Sequence, residues 1–464
     1  MLSRLPLANS PLNKKLIFIA ILTLVAMIPL GLIESLTSDR QHLYHGVVNE
    51  IGRSWGEQQT IAGPALVIPY TYEVVQESIS DTGKMTKARH TYDSELVVLP
   101  EQLNLAVSLK HSFLSRGIFR SLVYQSQVTG SALFRLEAYT LPNLVNLHPD
   151  QARLVFGISA NQAIDKLNRF AAKADKQAAA PQRLMPGTRL EQLRGLDRGF
   201  HQPIALSPDS EQLTVNFDIS LRGSQGISVL PIGQQTEVTL SADWPHPSFH
   251  GLLPTERQIT AQGFSAQWDV SHLTRNYPQV FTKTQEVNLQ EIAAQATLFE
   301  PVTHYGKIER AVKYGLLFIM LTSTMLLIFE LGQQQVLSSI QYLLVASAMA
   351  LFYLLLLSLS EHISFGYAYL LAASVPLLSV SAYIASVTAS RRRGAFMAII
   401  LLALYSVLYS ILKLEDYALL MGSGLLMMVL LILMYLTRHQ IEAPSTPRQE
   451  YITPKALARL ASAA

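Results

Sequence analysis

Two histidines, His246 and His250, stand four positions apart in the stretch WPHPSFHGLLP, residues 244–254. On a helix that spacing puts both imidazoles on one face. Zinc proteases hold their metal that way, with a glutamate beside the first histidine as base. Here Pro245 and Pro247 flank His246, and no glutamate stands between the histidines. Proline removes a helical hydrogen bond, clashes with the preceding turn, and pushes the residue before it out of the helical region. The stretch therefore reads as a rigid turn after a strand, with Trp244 and Phe249 packed on a core, and not as a metal site.

Other chemistry is equally sparse. The chain has no G-x-S-x-G elbow, no Walker A motif, no H-E-x-x-H and no dinucleotide glycine fingerprint. Gly223, Gly226 and Gly233 in LRGSQGISVLPIG do not precede a helical pattern, so they fit strand turns better than a phosphate cradle. The absence of cysteine excludes disulfides, thiolate metal sites and cysteine nucleophiles. Ionisable residues inside apolar spans are functional suspects by default. Glu330, Glu361 and His362 qualify, but each falls at the end of a span, where solvation or an interhelical hydrogen bond accounts for it. A proton-coupled transporter needs such a group nearer mid-membrane, and that counts against transport. Thr322, Ser323, Thr324 and the GSG at 422–424 are read as helix-packing residues. No catalytic, cofactor-binding or metal-ligating residue is assigned, and the chain is read as a non-enzyme without a cofactor.

The elements around these residues follow from composition. Of 464 residues, 49% are hydrophobic and 15% charged, against about 25% charged in ordinary soluble proteins. The net charge of +3 is too small to imply nucleic acid. A bilayer core about 30 Å thick needs about 20 apolar residues per helix. Six stretches meet that need or nearly so: 16–33, 314–331, 340–359, 365–389 (with Pro376), 395–412 and 417–436. The first has no clear small-x-small cleavage site after it and reads as an uncleaved signal anchor. Positive residues favour the cytoplasmic side. Arg4, Lys14 and Lys15 place residues 1–15 inside, Arg391–Arg393 place the turn after span four inside, and Arg438, Arg448, Lys455 and Arg459 place the tail 437–464 inside.

Residues 34–313 then form one large periplasmic domain. Leu36, Leu43, Val47 and Ile51 keep helical spacing and extend span one as a helix. After them come short alternating or β-branched runs: ALVIPYTYEVV, ELVVLP, LNLAVSL, SLVYQSQVTG, LTVNFDISL, TEVTLSADW and FSAQWDVSHL. Turn residues lie between them, which predicts a sandwich or meander. The Ala-, Lys- and Gln-rich segment from Ala160 predicts a surface helix, with a linker or lobe boundary near 175–200. The fold class expected is a polytopic α-helical membrane protein of six transmembrane helices, with a large β-rich periplasmic domain between helices one and two.

The stretches GPALVIPY, WPHPSFHGLLPTERQITAQGFSAQW, QYLLVASAMALFYLLLLSLSEHISFGYAYLLAAS and YLTR resemble the CreD inner-membrane proteins of Gram-negative bacteria. The resemblance covers nearly the whole chain and is weakest around 160–200. It implies a bacterial inner-membrane protein associated with cell-envelope integrity, in the output of a two-component system and linked to altered colicin and β-lactam responses. It implies no reaction and no catalytic residue. The expected function is support of the envelope, with the periplasmic domain binding a protein, cell-wall or lipid partner. The alternative is a transporter or lipid-handling protein with that domain as gate or shuttle. The expected surroundings are the lipid bilayer and no nucleic acid. Spans with small residues pack as well between chains as within one, so a homo-oligomer is compatible.

Overall fold

A computed structural model of the chain describes residues 11–79, 85–137, 139, 141–175, 182–298, 304–331, 337–413, 420, 422–424, 427, 428, 431 and 434. It divides into two compact units, one of Met1–Leu30, Arg310–Leu356 and Gly366–Ala464, the other of Gly31–Glu309 and Leu357–Phe365. Five helices among the described residues are long and apolar enough to cross a membrane. They are α1 (Pro11–Trp55), α2 (His304–Leu331), α3 (Ser339–Ser360), α4 (Phe365–Val387) and α5 (Arg391–Lys413). The predicted span 417–436 is described only at scattered helical positions between 420 and 434, and residues 1–10 and the tail 437–464 lie outside the described residues.

Apolar composition makes these helices, and a hydrocarbon solvent demands them, because only a helix or a closed barrel satisfies its own backbone there. Aromatic packing joins α3, α4 and α5. The Phe352 ring lies 4.8 Å from Tyr405 and 5.6 Å from Tyr369. The Tyr369 hydroxyl donates to the Tyr405 carbonyl at 2.6 Å. Gly315 lets α2 close on its neighbours: a Cβ there would meet Leu30 at 2.9 Å and Tyr353 at 3.1 Å. Of the GSG glycines, a Cβ at Gly422 would touch the Tyr314 ring at 3.0 Å, whereas Gly424 has open space.

The second unit is a two-sheet β structure lying, in sequence, between the first helix and the later ones. Its strands are β1 (Gln59–Ile79), β2 (Met85–Val98), β3 (Gln102–Arg116), β4 (Phe119–Arg135), β5 (Leu144–Leu147), β6 (Arg153–Ile158), β7 (Ile164–Ala174), β8 (Met185–Pro186) and β9 (Gly199–Pro203). They continue as β10 (Gln212–Ser224), β11 (Gly226–Leu230), β12 (Gln235–Ala242), β13 (Pro247–Gly251), β14 (Glu256–Thr260), β15 (Gly263–Ser271), β16 (Val280–Thr282) and β17 (Ala294–Leu298). Among the described residues ten strands form one sheet, along the path β13-β17-β11-β1-β6-β9-β8, with β2 and β5 also on β1 and β16 on β2. The other sheet has seven, β14-β15-β12-β3-β4-β10-β7.

Period-two alternation builds the second sheet. In β10, Leu213, Val215, Phe217, Ile219 and Leu221 are buried while their neighbours are not. Central β6 is buried at all six positions, as a strand covered on both faces must be. Trp268 of β15 is fully buried and donates its ring N–H to the Leu252 carbonyl at 2.8 Å. Gly223 lies inside β10 because a Cβ would overlap the Tyr124 ring at 2.3 Å, and Gly226 opens β11 against the Ala296 carbonyl. Both are close-approach glycines within the sheets.

Two sequence expectations need correction. The segment from Ala160 is not a surface helix: Ile164–Ala174 is β7, the edge strand on β10. Helix-favouring Ala, Lys and Gln lose to tertiary pairing, because Phe170 packs on Phe156 and Phe200 at 6.1 and 5.2 Å. Its charged outer face, with Lys166, Arg169 and Lys173, suits an edge that must not pair further. Of the segment 175–200, the described residues contribute Leu190, Leu193 and Leu196 to the same core as both sheets; residues 176–181 lie outside the described residues. The stretch 244–254 is more than a turn. Its middle, Pro247–Gly251, is β13, which leaves β12 in one sheet to pair with β17 in the other.

One ionic group is held inside the β unit. Arg153 donates to both Glu95 oxygens at 2.7 and 2.8 Å, and Lys283 approaches at 3.3 Å. Burial pushes the Glu95 carboxyl up, but the hydrogen bonds and charge of Arg153, with Lys283, outweigh it and hold the pKa below the ordinary value. The resulting stability is complete above the unfolded carboxyl pKa and is lost as pH falls through the lower folded value. Glu95→Gln should therefore cost about 2–3 kcal/mol at neutral pH. In thermal unfolding followed by pH, the gap between wild type and variant should close below about pH 4.3.

Candidate functional site

The residues first suspected of chemistry do not assemble a reactive centre. His246 and His250 are exposed. His246 packs its ring on Trp244 at 6.1 Å, and His250 lies 3.1 Å from the Ser248 hydroxyl. Among the described residues no three His, Asp or Glu side chains gather as a metal set. Trp244 is positioned by its neighbour Asp243, which accepts from the His111 backbone N–H at 2.8 Å and lies 2.7 Å from the same residue's Nδ1. Burial raises the Asp243 carboxyl, and the His111 contacts more than reverse that, holding it below its ordinary value. Trp244 then packs against His111 and Phe113 at 5.3 and 6.1 Å. Phe249 packs on Phe264 and Trp268. Both aromatic placements match the sequence expectation.

The ionisable residues at span ends are tied to other helices. Glu330 of α2 pairs with Lys15 of α1 and accepts from the Tyr342 hydroxyl of α3 at 3.0 Å. Glu361, just past α3, accepts from Tyr305 of α2 at 3.3 Å and faces Arg40 of α1 at 3.6 Å. His362 is exposed. Thr322 and Ser323 are buried, and Thr324 bonds back to the Met320 carbonyl of its own helix.

A different feature has the form of a site. A groove of about 650 Å³ opens on the β unit. Its floor is a face of β1 and β2, carrying Tyr70, Tyr72, Val74, Ser94 and Leu96. The register fixes this set: Tyr70 lies opposite Ser94 and Tyr72 opposite Tyr92, so alternate residues of both strands share the face. Glu137, Tyr139 and Leu141–Asn143 form one wall; Val280–Thr282 of β16, Thr284 and Gln285 form the other. The Tyr70 and Tyr72 rings are 5.8 Å apart, and Tyr72 and Tyr92 are 5.9 Å apart, tilted at 41° and 33°. Burial raises the Tyr139 hydroxyl to about 12, so it stays protonated at neutral pH. Sequence reading missed these residues. The alternating tyrosines of PYTY were a signal, but the walls come from segments far away in the chain.

Comparison with known proteins decides the family. The family model for inner membrane protein CreD matches residues 11–441. The chain belongs to the CreD family. It is 29% identical over 435 residues to the inner membrane protein CreD of Escherichia coli (strain K12), covering 93% of this chain and 94% of that one. As a CreD-family protein with several membrane-crossing helices, it is a multi-pass protein of the inner membrane. Since neither histidine is built into a reactive arrangement, the His246→Ala, His250→Ala double variant should complement an envelope defect as fully as wild type. Loss of complementation with normal protein levels would show that the pair has a chemical role.

Proposed function

We propose that this CreD-family protein supports cell-envelope integrity as a non-enzymatic membrane protein, with its β unit binding an envelope component outside the inner membrane. The observation that carries this reading is the tyrosine-floored groove. It is a preformed concavity of side chains on a rigid two-sheet frame, which is how binding sites are usually built. In this reading six helices anchor the β unit, the sixth being residues 417–436, and both termini are cytoplasmic. Lys14, Lys15 and Arg391–Arg393 support that orientation through the positive-inside rule. The transporter reading has less behind it. Glu330 lies at the end of α2 and already has Lys15 and Tyr342 as partners.

The absence of cysteine makes both parts testable. In spheroplasts, a membrane-impermeant maleimide should label Gln258→Cys at once and Ser390→Cys only after lysis. The reverse pattern would place the β unit in the cytoplasm. A photo-crosslinking amino acid at position 92 should capture an envelope component in living cells, and one at Val75, on the opposite face of the same strand pair, should not.

A further inference from the structure

We infer that the groove takes an uncharged saccharide chain, laid over Tyr72 and Tyr92 above the buried ring of Tyr70; this rests on the binding role proposed above. Tyr70 is 6% exposed and closes the floor, Tyr72 is half-buried, and Tyr92, its ring 5.9 Å from Tyr72 and just beyond the groove's lining, is 49% exposed. The row therefore runs from an enclosed end to a solvent-facing one. The face of an aromatic ring is electron-rich and its edge electron-poor. The axial C–H groups of a pyranose ring carry the complementary charge, so sugar rings lie flat on aromatic faces. A row of rings about one sugar length apart offers successive residues of a chain successive platforms, as aromatic rows do for successive bases.

The polar part of the lining fits the same ligand. Ser94, Asn143, Thr282, Thr284 and Gln285 are neutral hydroxyl and amide groups, able both to donate and to accept. Among the described residues the lining contains no lysine or arginine and one carboxylate, Glu137. An anionic headgroup or acidic peptide would find no counter-charge there and one repulsive group. An extended peptide would need an open strand edge to pair with. At the enclosed end of the floor that edge is taken: β1 at Tyr70–Tyr72 lies between β2 and β5, and β2 at Leu96 lies between β1 and β16. Recognition must then come from side chains and ring faces, which is how a ligand of hydroxyls and C–H faces is held.

The test uses the full chain in nanodiscs. Calorimetry and saturation-transfer NMR would be run with cellohexaose, the hexamer of N-acetylglucosamine, and decaproline as the competing aromatic-groove ligand. At least one hexasaccharide should bind, with saturation transfer strongest at its ring C–H protons. Tyr92→Ala should raise its Kd about tenfold, and Tyr92→Phe, which keeps the ring face, less than about threefold. Val75→Ser, on the other face of the strand, should leave the Kd unchanged. Tyr92 is half exposed, so its truncation should not unfold the domain; an unchanged melting temperature confirms that. The inference is overturned if neither hexasaccharide binds, if Tyr92→Ala binds as wild type does, or if decaproline binds in their place. If position 92 still crosslinks an envelope component in cells while no saccharide binds, the ligand class falls and the binding role stands. If both assays are blank, both fall.

Discussion

The ladder of hydrogen bonds along β1 is what the β unit is assembled on. One edge of the strand serves β11 from Gln59 to Ala62 and then β2 from Leu66 to Ile79. The other serves β6 up to Val67 and then β5 at Tyr70–Tyr72. Gly63 and Pro64 sit at the change of partner: β11 pairing stops at Ala62, β2 pairing starts at Leu66, and the β6 register shifts between Ala62 and Ala65. Proline has no N–H to give a ladder, so it is tolerated where the ladder already breaks. Gly63 has φ +122°, and a Cβ there would press on the Val155 carbonyl at 3.2 Å. The motif GPALVIPY is thus the point where one strand changes partners on both edges.

The helical segments pose a different constraint, since a charge near hydrocarbon costs several kcal/mol unless it is paired. The two acids at span ends have cationic partners and tyrosine donors on other helices: Glu330 with Lys15 and Tyr342, Glu361 with Arg40 and Tyr305. Both sets draw on α1, α2 and the α3 region. Removing one member would strand a poorly solvated charge, so these groups fix which helices meet. That is a structural task, and it explains polar residues in apolar spans without a transported ion.

Sequence made the membrane segments legible because length and apolarity are local properties. The same holds for seven of the strands, from ALVIPYTYEVV to FSAQWDVSHL, whose alternation is written in the chain. It failed where pairing overrides composition, as in β7, whose alanines and lysines favour helix while β10 offers an edge. Short strands such as β5, β8 and β16 carry too few residues to show a period and exist because a neighbour's edge is open to them. The prolines around His246 exclude a helix, yet the crossing of β13 to the other sheet depends on β17, far along the chain. The groove was half visible. Tyr70 and Tyr72 announce a shared face, but Tyr92 joins them through the β1–β2 register and the walls come from Glu137, Tyr139, Leu141–Asn143, Val280–Thr282, Thr284 and Gln285.

Register also separates two chemistries on the same pair of strands. The odd-numbered face holds Thr71 with Asp93 at 2.9 Å and His148 at 3.0 Å, then Glu95 with Arg153 and Lys283. There the carboxylates of Asp93 and Glu95 find donors, and the hairpin is fixed to β6 and to the segment after β16. The even-numbered face holds the tyrosine row and the floor of the groove. A one-residue slip of β2 would turn its side chains over, putting Glu95 on the groove face and Tyr92 on the face of Arg153. The ionic face therefore does more than add stability. By making the native register far better than its neighbours, it holds the tyrosines in a row on the open side, and a binding surface needs that fixed spacing.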